Sequence, residues 1–215
     1  MNETLITLVK FFQDGGPFMY PILIVLAIGM AITLERYLML TIARSSNRRM
    51  IKKLMPLMEK GEMASAAKIA GGSKATVSRV LMQGLAHYKS ARRRDDLEAA
   101  MDESIMEAIP RLEKRTHYLA MFANIATLLG LLGTILGLIK AFTAVAQVDP
   151  SLKAEILSTS ISVAMNTTAF GLIVAIPLLF FYTVLQTKTT EIVDSLEMTV
   201  VKFVNLLSRA KNANQ

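Results

Sequence analysis

The chain has 215 residues, is 53% hydrophobic and only 19% charged, and carries a formal net charge of +7. A soluble globular domain is usually about 45–50% apolar and about 25% charged, so these values disfavour that class. Cysteine is absent and only His87 and His117 are present, which leaves little for a metal site, and no cofactor is expected. No nucleophile–base pair or phosphate loop appears, so we do not expect an enzyme.

The N-terminal segment, residues 3–13, has the pattern of a short helix. Its apolar residues recur at helical spacing: Leu5, Leu8, Val9 and Phe12. This spacing predicts an amphipathic helix that lies on the outer membrane interface, and a disordered terminus is the alternative. Gly15, Gly16 and Pro17 then break the chain before the first long apolar run.

Three uncharged runs have the length of membrane spans. They cover residues 17–34, 119–139 and 156–187 and contain 18, 21 and 32 residues. A helix needs about 20 mostly apolar residues to cross the hydrocarbon core of a bilayer. The alternative, buried helices of a soluble protein, would leave too little polar surface to cover three such runs. We therefore predict three transmembrane helices.

Lysine and arginine predict the orientation of the spans. Segment 35–118 carries 17 of the 24, including the run Arg92-Arg93-Arg94, whereas segment 1–16 carries one. The positive-inside rule then places the N-terminus outside and the C-terminus in the cytoplasm. Basic residues near the spans suit anionic lipids, and no aromatic-interleaved basic motif supports a nucleic-acid partner.

The segment between the first two spans is helical by pattern. Ser73 is expected to cap one of its helices. Pro110 is expected to kink, and not end, a helix that continues into the second span, and Asp149-Pro150 is expected to start the third helix. The apolar stripes of this segment are Leu54, Leu57 and Met58, then Ala66, Ala67 and Ile69, then Val77, Val80, Leu81, Gly84 and Leu85, and then Met101, Ile105, Ile109 and Leu112. The tail continues with Ile192, Leu196, Val200, Phe203, Val204 and Leu207.

Together these patterns predict an all-α membrane protein with three transmembrane helices, of which the second and third extend into the cytoplasm. The predicted segments are an N-terminal interfacial helix (1–16), transmembrane helix 1 (17–40), a cytoplasmic helical loop (41–117), transmembrane helix 2 (118–148), an outer link with transmembrane helix 3 (149–187), and a cytoplasmic helical tail (188–215).

Small and hydroxyl-bearing residues follow one face of each of the last two spans. On the second span these are Ala120, Ala123, Thr127, Gly130, Thr134, Gly137 and Ala141, with Gly133 and Gly137 in small-xxx-small spacing, and on the third they are Ile161, Ala164, Thr168, Gly171 and Ala175. Asn166 and Thr167 add polar side chains to the outer half of the third span, and together with Thr127, Thr134 and Thr168 they are the candidate ion-path residues. Gly130, Gly133, Gly137, Gly171 and Ala175 are the candidate packing residues. Small residues let helix backbones approach, so packing is one interpretation. A wet or protein-facing surface is the other, because Asn166 is costly in lipid unless it faces a partner or water. Pro177 is a candidate hinge of the third span.

None of the three uncharged runs contains Asp or Glu. A proton carrier needs an ionisable group at membrane depth. If the protein moves ions, we therefore expect the titrating group to come from a partner.

These residues resemble a known family. The segments GLLGTILG (130–137) and TTAFGLIVAIP (167–177) are similar to the two signature segments of the MotA/TolQ/ExbB proton-channel family. The segments GPFMYP (16–21) and LER (34–36) resemble the start of its ExbB/TolQ branch. The MotA branch has four spans, which argues against that branch.

The resemblance implies a homopentamer in the bacterial inner membrane that encloses the single transmembrane helices of two ExbD/TolR-like subunits, with the N-terminus in the periplasm. A carboxylate of the partner relays the ion, and Thr134 and Thr168 match the two pore-facing threonines of the family. Some ExbB members carry an acidic residue five positions before the second threonine, where this chain has Val163. This departure leaves both a second carboxylate in the relay and the choice between H⁺ and Na⁺ open.

Three functions compete. The first is a subunit of an ion-driven motor that powers outer-membrane transport, for which the resemblance implies a TonB-like or other envelope protein as a further partner. The second is a TolQ-like subunit for envelope maintenance. The third is a passive membrane scaffold that assembles through its small-residue faces without conducting ions.

Overall fold

The computed structural model describes residues 2–88, 94–146 and 148–212, and this part of the chain contains seven α-helices and no β-strand. The helices are α1 (Asn2–Asp14), α2 (Met19–Glu59), α3 (Met63–Gly71), α4 (Thr76–Tyr88), α5 (Arg94–Glu113), α6 (Thr116–Val145) and α7 (Lys153–Asn212). Arg92 and Arg93 of the basic run lie outside the described residues. The all-helical content confirms the predicted fold class.

Three helical stretches are long and apolar enough to cross a bilayer, which confirms the predicted number of spans. They are Met19–Glu59, Asp95–Val145 and Lys153–Leu207. Only 22–28% of the most apolar part of each stretch is buried within the protein. Most of their apolar surface is therefore available to lipid or to another protein.

The second and third spans differ in how they continue beyond the apolar part. Helix α7 runs unbroken for 60 residues through Pro177, as the long third helix was predicted to do. The path into the second span is instead interrupted by Lys114 and Arg115, and Arg115 has a φ of 65°. A left-handed residue ends an α-helix, so α5 and α6 are separate helices. Pro110 lies inside α5 and not at the break.

The start of α7 also differs from the expectation. The Leu152 N–H donates to the Asp149 carbonyl at 3.0 Å, which closes a turn before the helix begins at Lys153. Asp149-Pro150 therefore belongs to this turn and does not start the helix.

The chain divides into two compact units. We call Met1–Glu35 with Arg115–Thr183 the apolar unit, and Arg36–Lys114 with Val184–Gln215 the charged unit. In the apolar unit, α1 packs through aromatic rings: Phe11 and Phe12 lie edge-on to Phe170, with ring centroids 6.4 and 5.8 Å apart. The N-terminal segment is thus a helix, as predicted.

The charged unit has a core of large apolar side chains. Most residues of the predicted stripes are buried, including all six of the tail, whereas Leu57, Ala67, Leu85 and Ile109 are partly buried and Ile69 is exposed. A helical apolar stripe predicts burial in water because exposing it costs free energy. These helices therefore behave as the pattern predicts.

Two side-chain oxygens bond to backbone N–H groups at or just before the start of α4. The Ser73 hydroxyl accepts a hydrogen bond from the Ala75 N–H at 3.1 Å, just before the helix. The Val77 N–H donates to Oδ1 of Asn47, on α2, at 3.2 Å. A side-chain oxygen at this place satisfies a helix N–H that has no partner within the helix. The sequence predicted a cap from Ser73, but the Ser73 hydroxyl bonds to the turn before the helix, and the cap comes from Asn47, which the sequence did not single out.

Candidate ion-path site at the contact of α6 and α7

Helices α6 and α7 approach so closely that their backbones touch through glycines. A Cβ atom added to Gly171 would lie 2.7 Å from the Ala126 carbonyl oxygen and 3.1 Å from the Gly130 Cα. A Cβ atom added to Gly130 would lie 3.2 Å from the Thr168 Cα. Only glycine allows this approach, because any other residue would place a carbon inside the contact distance of the facing backbone.

The other small residues extend the same contact. A Cβ atom at Gly133 would lie 2.5 Å from Cγ2 of Thr167, and one at Gly137 would lie 2.9 Å from the Ala164 Cβ. Ala175, one turn beyond Gly171 on α7, is 2% exposed. Gly130, Gly133, Gly137, Gly171 and Ala175, which the sequence suggested as packing residues, therefore all lie in the apolar unit, and the four glycines lie at the contact between α6 and α7.

A cluster of two hydroxyls and one carbonyl lies beside the glycine contact. The hydroxyls of Thr134 and Thr168 both lie within hydrogen-bond distance of the Gly130 carbonyl, at 3.1 and 2.9 Å, and they also contact each other. Two hydroxyl protons serve these three contacts, so one contact lacks a proton at any instant. Both side chains are only partly buried. The cluster can therefore turn a donor or a lone pair toward a ligand without losing all its internal bonds.

Thr167 faces a different way from Thr168. It is 2% exposed, and its hydroxyl donates to the Gly15 carbonyl at 2.6 Å and lies 3.0 Å from the Val163 carbonyl. Consecutive residues of a helix point about 100° apart, because a turn contains 3.6 residues. The hydroxyl of Thr167 thus holds the loop between α1 and α2, which differs from the ion-path role predicted for it.

Asn166 and Thr127 lie away from the hydroxyl cluster. Asn166 is partly buried, and its side chain makes no hydrogen bond with the described residues. Thr127 is exposed, and its hydroxyl bonds back to the Ala123 carbonyl at 3.1 Å. The structure therefore brings Thr134 and Thr168 together and leaves the other two hydroxyl- or amide-bearing candidates apart from them.

An ion pair of the apolar unit was not predicted from the sequence. Arg115, the left-handed residue before α6, donates from Nη1 to both carboxylate oxygens of Glu35 at 2.8 and 2.7 Å. The two residues are 80 positions apart. No local pattern joins them, although Glu35 is part of the LER segment that carried the family resemblance.

Comparisons with known proteins agree with this architecture. The family model described as the MotA/TolQ/ExbB proton channel family matches residues 73–198, which is more than half of the chain. The Vibrio cholerae biopolymer transport protein exbB1 is 29% identical over 90% of this chain and 85% of its own length. The putative biopolymer transport protein ExbB homolog of Methanothermobacter thermautotrophicus is 28% identical over 89% of this chain and 67% of its own.

A third relative belongs to a different system. The Tol-Pal system protein TolQ of Haemophilus influenzae is 29% identical over 51% of this chain and 48% of its own length. Relatives of both kinds, together with three membrane-spanning helices, indicate a multi-pass protein of the bacterial inner membrane. The matched region contains both the α6–α7 glycine contact and the threonine cluster. The chain belongs to the MotA/TolQ/ExbB proton channel family, in its ExbB/TolQ branch.

Proposed function

We propose that this chain is the channel subunit of an ion-driven motor in the inner membrane. Five copies surround the single transmembrane helices of two ExbD/TolR-like subunits, and ion flow between them is converted into mechanical work for outer-membrane transport. The observation that carries the proposal is the cluster of the Thr134 and Thr168 hydroxyls on the Gly130 carbonyl. It supplies oxygen atoms to a surface that is otherwise apolar.

The cluster has the chemistry that an ion path requires. Hydroxyls are both donors and acceptors, so they can hydrogen-bond to a partner carboxylate in either protonation state and can solvate a cation. The apolar runs of this chain contain no Asp or Glu. In the proposal, the partner therefore supplies the carboxylate, and this chain supplies its polar surroundings.

The outward surface of the spans supports assembly. Large apolar side chains of α6 and α7, such as Leu128 and Ile173, are 63% and 59% exposed. Lipid covers part of such a surface, and neighbouring copies cover the rest in a pentamer. Each charge that crosses the membrane supplies about 2.3 kcal/mol per 100 mV, so several ions per cycle are enough for a large movement of the partner.

A second candidate is a TolQ-like role in envelope maintenance, which the similarity to TolQ favours. The channel chemistry is the same in both cases, and only the protein that receives the work differs. Deletion of the gene separates them: loss of energised uptake with an intact envelope supports the first role, and detergent sensitivity with normal uptake supports the second.

The direct test replaces Thr134 and Thr168 by valine, singly and together. Valine keeps the shape but removes the donor and the acceptor. Since hydrogen bonds within membranes contribute about 0.6 kcal/mol on average, assembly should survive. Ion-driven activity should fall sharply, because the oxygens of the path are lost. Complex recovery and proton uptake into proteoliposomes that also contain the partner subunit measure the two effects.

Thr143→Val is the matched control. Thr143 is exposed near the end of α6, and its hydroxyl bonds only to the Ile139 carbonyl, at 2.9 Å, among the described residues. Thr127→Val should lie between the control and the cluster variants. If both cluster variants assemble and conduct like the control, α6 and α7 are packing surfaces only and the chain is a scaffold.

Orientation has its own test. The basic residues between the first two spans place Ser73 and the C-terminus in the cytoplasm and Pro150 outside. A reporter that is active only in the periplasm should therefore work when fused at Pro150 and fail at Ser73. The reverse pattern would contradict the proposed orientation of the chain in the membrane.

A further inference from the structure

A cleft of about 340 Å³ opens in the charged unit where α4 begins. Its polar lining comes from α2, from the segment before α4, and from α4 and α5, and consists of Ser46, Asn47, Lys74, Thr76, Arg79 and Arg111. None of its lining residues is acidic. Met39 and Ile42, on α2, form an apolar part of the same wall.

The floor of the cleft holds an unpaired donor. Asn47 is 4% exposed, and its Oδ1 already accepts from the Val77 N–H. Its Nδ2 is buried and has no hydrogen-bond partner among the described residues. A buried amide donor without an acceptor loses its hydrogen bonds to water without replacing them, which destabilises the folded state. This cost points to an acceptor that the protein itself does not supply.

The surroundings of Asn47 favour an anion as that acceptor. Lys74 and Arg79 are exposed at the rim, and neither forms an ion pair with a described carboxylate. The first turn of α4, a helix of 13 residues, adds the partial positive charge of a helix N-terminus. Arg111 contributes less, because it is paired with Glu107 at 2.9 Å.

We propose that this cleft binds a phosphate group, which accepts hydrogen bonds from Nδ2 of Asn47 and from the N–H of Thr76 at the start of α4 and lies between Lys74 and Arg79. Ionised phosphate oxygens accept hydrogen bonds and do not donate them. The Asn47 amide, the Lys74 ammonium and the Arg79 guanidinium can all donate to such oxygens. Two sources carry this group: free phosphate, and the headgroup of a phospholipid whose acyl chain lies against Met39 and Ile42. The site is separate from the threonine cluster, so it does not depend on the proposed channel function.

The decisive variant is Asn47→Asp. An aspartate keeps an oxygen for the Val77 N–H and is as good a helix cap as asparagine, so α4 should remain folded. It replaces the Nδ2 donor by a negatively charged oxygen, so phosphate affinity should fall about tenfold or more. A melting temperature at or above that of the unchanged protein would show that the fold is retained.

A charge-matched pair tests the rim. Lys74→Gln with Arg79→Gln removes two positive charges at the cleft. Lys52→Gln with Lys68→Gln removes two from exposed positions of the same unit that do not line it. The first pair should weaken phosphate binding about tenfold, and the second should leave it within about twofold.

Titration calorimetry of the full-length protein in a phosphate-free detergent gives the readout. One arm titrates inorganic phosphate at constant ionic strength, and the other titrates dihexanoyl phosphatidylglycerol. Saturable binding in either arm that Asn47→Asp weakens supports the proposal, and the tighter arm identifies the source. If neither probe binds, or if Asn47→Asp binds as tightly as the unchanged protein, or if the control pair loses as much affinity as the rim pair, the proposal is wrong.

Discussion

Helix α6 of the apolar unit buries a different kind of residue from the core of the charged unit, although the apolar unit also buries Met19, Ile22 and Leu178 on its other helices. In the apolar unit, six of the seven buried residues of α6 are Gly, Ala or Thr, and only Leu119 is large. In the charged unit, the fully buried residues include large side chains such as Phe203, Met101 and Leu81. Water drives large apolar side chains inward, whereas lipid does not, so helices in a membrane gain stability from close backbone contact.

Buried glycines illustrate the difference. A Cβ atom at Gly171 in the apolar unit would meet the Ala126 carbonyl oxygen, which is fixed in a helix. A Cβ atom at Gly84 in the charged unit would meet Sδ of Met101 at 2.6 Å and an edge of the Phe203 ring at 2.9 Å. Side-chain ends can move aside and backbone cannot, so the same substitution tests the two kinds of packing.

The largest expected effect comes from emptying the core of the charged unit. Phe203 is 0% exposed, so Phe203→Ala should reduce the free energy of unfolding by about 4 kcal/mol. Phe180, in the apolar unit, is 63% exposed and supplies the matched control. Phe180→Ala should change stability little in detergent. Chemical unfolding followed by circular dichroism measures both, and equal losses would remove the contrast between the units.

Overpacking the apolar unit should come next. Gly171→Ala forces α6 and α7 apart, and we expect a loss of about 3 kcal/mol. Gly71→Ala is the control, because a Cβ atom there meets only Cε of Met82, at an ordinary 3.8 Å. That variant should be neutral or slightly stabilising, as alanine favours a helix. The melting temperature in detergent gives the comparison, and a harmless Gly171→Ala would contradict the backbone contact.

Overpacking the charged unit should have a smaller effect. Gly84→Ala displaces the flexible end of Met101, and the gain in helix propensity offsets part of the strain, which leaves a net loss of about 1 kcal/mol. The companion variant Met101→Ala with Gly84→Ala reveals the mechanism: if Met101 is the obstacle, the two losses should not add. A loss as large as that of Gly171→Ala would mean that both units are equally rigid.

The smallest effect should come from the break between α5 and α6. Arg115→Ala removes an exposed ion pair worth about 0–1 kcal/mol and keeps a side chain in the left-handed region. Arg115→Gly removes the same pair but relieves the backbone, so it should be more stable than the alanine variant by about 1 kcal/mol. Melting curves at low and high salt separate the energy of the ion pair from the strain of the left-handed backbone, since salt screens only the ion pair.

Local pattern predicts the fold well and the site only in part. The stripe that ends at Leu207 was predicted to be buried and is, and so are most residues of the stripe around Val80, because a helical stripe can be recognised without knowing its partner. The break at Arg115 was missed, since nothing in its sequence context favours a left-handed residue. The sequence predicted a kink at Pro110, but Pro110 lies inside α5 and the chain breaks after that helix.

The contacts of the candidate site could not be predicted from local sequence patterns. The stripe of small residues predicted that helices would approach, but not that Gly130 would meet Gly171, because that depends on the register of two separate helices. For the same reason the sequence grouped Thr167 with Thr168, although one faces the N-terminal loop and the other faces Thr134. The Asn47 cap of α4 joins residues 30 positions apart and left no local signal.

The hydrogen bond from Thr167 to the Gly15 carbonyl sets an order of events during synthesis. The two residues are 152 positions apart, so the ribosome needs roughly 8–30 s after Gly15 to make Thr167. During that time the Gly15 carbonyl, in the loop after α1, cannot accept its hydrogen bond from Thr167, even if the first span has already entered the membrane. The segment around Gly15 therefore reaches this contact only after much of the third span has been made, and a nascent chain stalled before that span should leave α1 open to protease.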